Sequence, residues 1–131
     1  MPIKESGENY LETIYILQQE KGTVRSIDVA NALGFSKPSI SRAMSVLKQD
    51  GAITVDAFGS IQLTEKGLRI ASSLYERHQF LSRCLKGIGV SPDIAVADAC
   101  RVEHVISQES FDRLKDFVAR KGFTLPEGKC Q

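Results

Sequence analysis

The chain has only three cysteines and two histidines in 131 residues. The cysteines, Cys84, Cys100 and Cys130, are odd in number and far apart, which argues against the disulfide framework of a small secreted domain. The N-terminus, Met1-Pro2-Ile3-Lys4-Glu5, lacks the apolar stretch of a secretory signal. No run approaches the roughly eighteen apolar residues of a membrane span. A cytoplasmic, reducing location and no membrane partner are therefore expected. The chain has neither His-Glu-x-x-His nor a Ser/His/Asp signature, and two histidines leave no evident catalytic base, so an enzyme is not expected. A strong net charge is missing too. At +1 the chain is no polycation, and any nucleic-acid contact must come from local charge.

Local charge is uneven. Residues 36 to 49 hold Lys37, Arg42 and Lys48 and no acid, whereas residues 91 to 131 hold six bases and seven acids. Apolar periodicity organises the chain around the first of these segments. Residues 7 to 20 have the helical spacing of Tyr10, Leu11, Ile14, Tyr15 and Leu17, ended by Gly22. Ser26 is expected to cap a short second helix closed by Gly34, and Ser36 a third with Pro38 in its first turn. Two β-type runs, residues 52 to 55 and 60 to 63, flank the turn Asp56-Ala57-Phe58-Gly59 as a hairpin. Thr64 caps a long helix reaching about Lys86, Ser91-Pro92-Asp93 opens a fifth ending near Ile106, and Ser107 caps a sixth. Residues 122 to 131 show no period.

Helix, helix, tight Gly-containing turn, helix and hairpin is the order of a winged helix-turn-helix. The reading predicts a mainly α protein: a winged helix-turn-helix with a small β-hairpin wing over residues 1–70, then a helical domain over residues 71–131. The third helix would enter a major groove, N-terminal residues nearest the bases. Arg25, Ser36, Lys37, Pro38, Ser39, Ser41 and Arg42 are the candidate DNA contacts. The hydroxyls permit close approach, and Lys37 and Arg42 can reach phosphates or guanine edges. The wing between Val55 and Ile61 would touch the flanking backbone.

The second half holds the run Ala99-Cys100-Arg101-Val102-Glu103-His104-Val105. Cys100, Glu103 and His104 fall at i, i+3 and i+4, within about 100° of one helix face. Thiolate, carboxylate and imidazole together suit a divalent transition metal. Each residue alone has an ordinary explanation: a small buried hydrophobe, a surface carboxylate, a satisfied core histidine. One helix does not close a metal site. The first helix offers Asn9 and Glu12 at i, i+3, and the long helix offers His78.

With these residues in place, the chain resembles the diphtheria toxin repressor family of iron- and manganese-dependent transcription regulators. The resemblance runs from Glu8-Asn9-Tyr10-Leu11-Glu12-Thr13-Ile14-Tyr15 through Leu63-Thr64-Glu65-Lys66-Gly67 and Arg77-His78 to Ala99–Ser107 and about Leu114. It implies a homodimer that binds a palindromic operator when loaded with Fe(II) or Mn(II), repressing metal-homeostasis genes. It matches Cys100, Glu103 and His104 to primary-site ligands of the iron type, and Glu12 and His78 to ligands of the manganese type. The sequence departs from the family in three ways. Asn9 stands where the iron type has methionine and the manganese type aspartate. Ser82 and Val96 replace the partners of His78 in the iron type's ancillary site. The SH3-like domain of the iron type does not follow. The thiolate of Cys100 softens the site and favours Fe(II), with Mn(II) second.

The dimer face is expected on the fifth and sixth helices, through Ile94, Ala95, Val105, Phe111 and Leu114. The alternative is a winged-helix regulator responding to an organic ligand or to a redox signal at Cys84, Cys100 or Cys130.

Overall fold

The computed structural model describes residues 5–122 and residue 125. It contains α1 (Glu5–Lys21), α2 (Ser26–Leu33), α3 (Lys37–Gln49), β1 (Ile53–Val55), β2 (Ile61–Leu63), α4 (Glu65–Gly87), α5 (Pro92–Val105) and α6 (Gln108–Lys121). The chain divides into two compact units, Met1–Ser73 and Leu74–Gln131, with the division inside α4. Cys130 lies outside the described residues.

In the first unit, α1, α2 and α3 close on a core that includes Leu11, Ile14, Val29, Ile40, Leu47 and Ile61. Helix α3 is amphipathic as its pattern requires. Ile40, Met44 and Leu47 are buried, while Lys37, Ser41, Arg42 and Lys48 face water. Ser36 caps it, its Oγ accepting from the Ser39 amide at 3.4 Å, with Pro38 in the first turn. Gly34 ends α2 at φ 70°, a left-handed conformation favoured by glycine.

One cap differs from expectation. Ser26 is the first residue of α2 and Arg25 is the N-cap. The Asp28 carboxylate accepts the Arg25 amide at 2.9 Å, so an acid in the first turn reaches back and satisfies the backbone donor of the N-cap residue.

The wing is a two-stranded antiparallel hairpin pairing Ile53 with Leu63, Thr54 with Gln62 and Val55 with Ile61. Ile53 and Ile61 are buried and Thr54 and Gln62 exposed, the period-two pattern of a half-buried sheet. A further bridge ties the sheet to Val24, whose carbonyl accepts the Ile61 amide at 2.8 Å. At the turn, Asp56 Oδ1 accepts from the amides of Phe58 and Ser60, each at 2.9 Å.

Thr64 then starts α4. Its hydroxyl donates to the Gly51 carbonyl at 2.6 Å and accepts from the Gly67 amide at 3.2 Å.

In the second unit, Phe111 is the main apolar anchor of α6. Its ring meets Phe80 edge-on at 5.6 Å, and the Arg77 guanidinium lies 5.6 Å from its centroid. Ser107 caps α6, accepting the Ser110 amide at 3.0 Å.

Two of the residues expected on a dimer face are core here. Ala95 and Phe111 are buried within the chain, whereas Ile94, Val105 and Leu114 are exposed. The same apolar stripe serves an interior and a surface because a helix buries only one arc of it.

Candidate functional site

Within the second unit, α4 and α5 converge on His78, Cys100 and Glu103. One ligand atom from each lies within 4.8 Å of the others. The His78 ring Nδ1 is 3.0 Å from Glu103 Oε1, and both side chains are buried, while Cys100 is exposed. A carboxylate and an imidazole withdrawn from water and a thiol at the rim form a donor set suited to a divalent first-row ion.

Helix geometry alone places Cys100, Glu103 and His104 on one arc, but the structure separates them. Among the described residues, Cys100 and His104 do not fall in a common group. Glu103 is the shared member: its carboxylate lies within 4.8 Å of a His104 ring nitrogen as well as grouping with His78 and Cys100.

Arg77, one residue before His78, sets this arrangement. Its Nη1 donates to the backbone carbonyls of Glu103 at 3.2 Å and Ile106 at 2.7 Å, and its Nη2 donates to Gln108 Oε1 at 2.8 Å. The cation thus holds the C-terminal turn of α5, where orphan carbonyls and the helix dipole favour positive charge. In the sequence Arg77 stands out only beside His78. Its position next to the candidate-ligand histidine is the available signal of a bracing role.

On α1, Glu12 is buried and Asn9 exposed, with the Asn9 carbonyl accepting from the Thr13 hydroxyl at 2.9 Å. Ser82 is fully buried in α4.

In the first unit, Lys37, Pro38, Ser41 and Arg42 line the exposed side of α3. Ser36 and Ser39 are partly occupied with each other, their hydroxyls 2.9 Å apart. Arg25 is exposed, but its Nη2 donates to the Phe58 carbonyl, so it braces the wing.

A helix-turn-helix with a hairpin wing, followed by a helical unit carrying a thiol, imidazole and carboxylate cluster, defines the class: a DNA-binding regulator joined to a metal-binding unit. Residues 3–57 match the model of the iron dependent repressor N-terminal DNA binding domain, and residues 64–129 that of the iron dependent repressor metal binding and dimerisation domain. The chain belongs to this iron-dependent repressor family, whose members are metal-dependent transcriptional repressors and not enzymes.

It is 36% identical over 113 residues to the HTH-type transcriptional regulator MntR of Geobacillus kaustophilus, covering 86% of this chain and 80% of that protein. It is 34% identical over 119 residues to the transcriptional regulator MntR of Escherichia coli O6:H1, covering 91% and 77%. The solved structure of the manganese regulator SloR superposes with a TM-score of 0.76 at 26% identity, over 97% of this chain and 61% of that one. The present chain thus spans under two thirds of SloR. No helix among the described residues is long and apolar enough to cross a membrane.

Proposed function

We propose that the protein is a homodimeric, cytoplasmic repressor that binds a palindromic operator when loaded with Fe(II) or Mn(II), and so controls metal-homeostasis genes. The observation that carries this reading is the buried His78–Glu103 pair with Cys100 at its rim, in the same chain as an acid-free recognition helix. His78, Cys100 and Glu103 are the inner ligands, His104 is a further ligand reached through Glu103, and Asn9 and Glu12 are supplied by α1 as the family resemblance implies. A bound divalent ion supplies the positive charge that offsets the burial of a carboxylate and a thiolate. The chain's own contribution is rigidity: Arg77 fixes the end of α5 that carries Glu103 and His104. Metal that binds the DNA-competent form better raises its population.

The choice of metal follows from Cys100. A thiolate ligand ranks Fe(II) above Mn(II), though the relatives are named for manganese. Fe(II) is therefore placed first and Mn(II) second. On the dimer side, Leu81, Cys84, Leu85, Ile88, Leu114 and Phe117 line an apolar groove of about 530 Å³ within the second unit. It lies inside the stretch matched to the dimerisation domain. An apolar surface of this kind suits a self-complementary contact.

The redox alternative has little physical support at Cys84. Burial pushes its thiol pKa up, which lowers the thiolate fraction that oxidation requires.

Fluorescence anisotropy under anaerobic conditions tests the proposal. The expected result is operator binding at least ~10-fold tighter with Fe(II) or Mn(II) than with the metal-free protein, the lower range of ordinary allosteric coupling. Equal affinity in all three conditions refutes it.

A further inference from the structure

Phe58 is 80% exposed, the highest value among the exposed large apolar side chains of the described residues, and it stands at the tip of the wing. The turn beneath it is held from several sides. Asp56 Oδ1 accepts the amides of Phe58 and Ser60, the Asp56 amide donates to the Ser60 carbonyl at 3.1 Å, and Arg25 donates to the Phe58 carbonyl. A backbone fixed in this way presents the ring at a set position, and leaves a large apolar surface in water with no packing role in the unit.

The wing also lacks what a phosphate-gripping wing needs. Between Val55 and Ile61 there is no lysine or arginine, and the one charged side chain, Asp56, is turned back onto the turn's own amides. Arg25, from outside the wing, lies beside this turn and donates through Nη2 to the Phe58 carbonyl. An apolar tip of this kind suits the floor and sugar walls of a minor groove, where inserted Phe, Leu and Ile side chains make contacts that charge cannot. The wing belongs to the same unit as α3, and α3 packs directly on β1, so tip and recognition helix are held in fixed relation.

We propose that Phe58 is an operator contact: its ring packs in the minor groove flanking the bases read by α3, making the wing an apolar rather than an electrostatic reader. The proposal rests on the DNA-binding function inferred above and assigns a contact to the wing.

The test uses the full chain loaded with Mn(II) and a duplex selected from a random-sequence pool by the wild-type protein. Affinity is measured by anisotropy across a salt series, on that duplex and on one trimmed at its flanks. Phe58→Ala is expected to bind the long duplex about 10-fold more weakly, a typical loss for one groove contact. The slope of log K against log salt stays unchanged, because no phosphate contact is removed. On the trimmed duplex the two proteins bind alike, and Phe58→Leu recovers part of the loss. The melting temperature of Phe58→Ala matches the wild type, since the ring is exposed. Equal binding of wild type and Phe58→Ala to the long duplex overturns the proposal, as does the same 10-fold deficit on the trimmed one. Failure of the wild type to select any duplex with Mn(II) or Fe(II) overturns the DNA-binding function itself.

Discussion

Gly67 sits in the first turn of α4, and a Cβ built there would lie 2.1 Å from the Ala52 carbonyl oxygen, 3.0 Å from the Ala52 carbonyl carbon and 3.3 Å from Leu63 Cδ2. An ordinary carbon–oxygen contact needs roughly 3.3 Å, so Gly67→Ala forces α4 back by about 1 Å. The obstacle is backbone, and no side-chain rotation relieves it. The same carbonyl accepts the Thr64 amide at 3.0 Å, and the Thr64 hydroxyl reaches the Gly51 carbonyl at 2.6 Å. Both bonds lengthen if the helix retreats. Overpacking strain of about 1–3 kcal/mol and two weakened hydrogen bonds at about 1 kcal/mol each oppose a gain of about 1 kcal/mol from the better helix former. The net cost is about 2–4 kcal/mol, a large share of the stability of a small unit. Far-UV circular dichroism melts of metal-free wild type and variant check it. A fall in Tm of about 10–20 °C is expected, and a fall under about 3 °C refutes the reasoning that the helix start is pinned against the Ala52 carbonyl just before β1. The wing hangs from the same junction, so operator affinity falls with stability.

Two further outcomes are expected. Cys100→Asp replaces a soft ligand with a hard one and shifts preference from Fe(II) toward Mn(II) by about 10-fold in competitive anaerobic titration; an unchanged ratio would remove Cys100 from the site. Asp28 has its pKa lowered, first by the Lys21 ammonium at 2.6 Å and then by the Arg25 amide. Its stabilising contribution is present above the ordinary carboxylate pKa near 4 and is lost as pH falls through the lowered folded value. For a surface pair that amounts to ~0.5 kcal/mol and weakens with salt. Asp28→Asn should flatten the stability-pH curve below about pH 4 while leaving neutral-pH stability within ~1 kcal/mol. A steep acid limb equal to wild type would show that other carboxylates carry it.

The helices and the hairpin were legible because their signals are local. The spacing of Ile40, Met44 and Leu47, the Ser36-x-Pro38 start and the Asp56–Gly59 turn each act within one or two turns of chain, and each appears as the sequence predicts. Ser26 lies one residue inside the cap because serine is a generic cap signal, while the N-cap is Arg25, whose amide Asp28 satisfies from further on. Ala95 and Phe111, expected on a dimer face, are core because an apolar stripe does not say which of its members a neighbouring helix covers. Arg25 donates to the Phe58 carbonyl 33 residues away, a partner no local pattern announces.

By itself, the sequence determined the order of elements, the acid-free face of α3 and the presence of a thiol, a carboxylate and an imidazole on α5. Spacing and side-chain chemistry suffice for these. Only the tertiary structure decided which of those donors meet: Glu103 with His78 and Cys100 on one side and His104 on the other, with Arg77 fixing the helix end. It also decided that Gly67 has no room for a methyl group. The physical reason is the same in both cases. Convergence and exclusion at a few ångströms depend on how distant segments pack, and helical periodicity specifies a direction without specifying what lies along it.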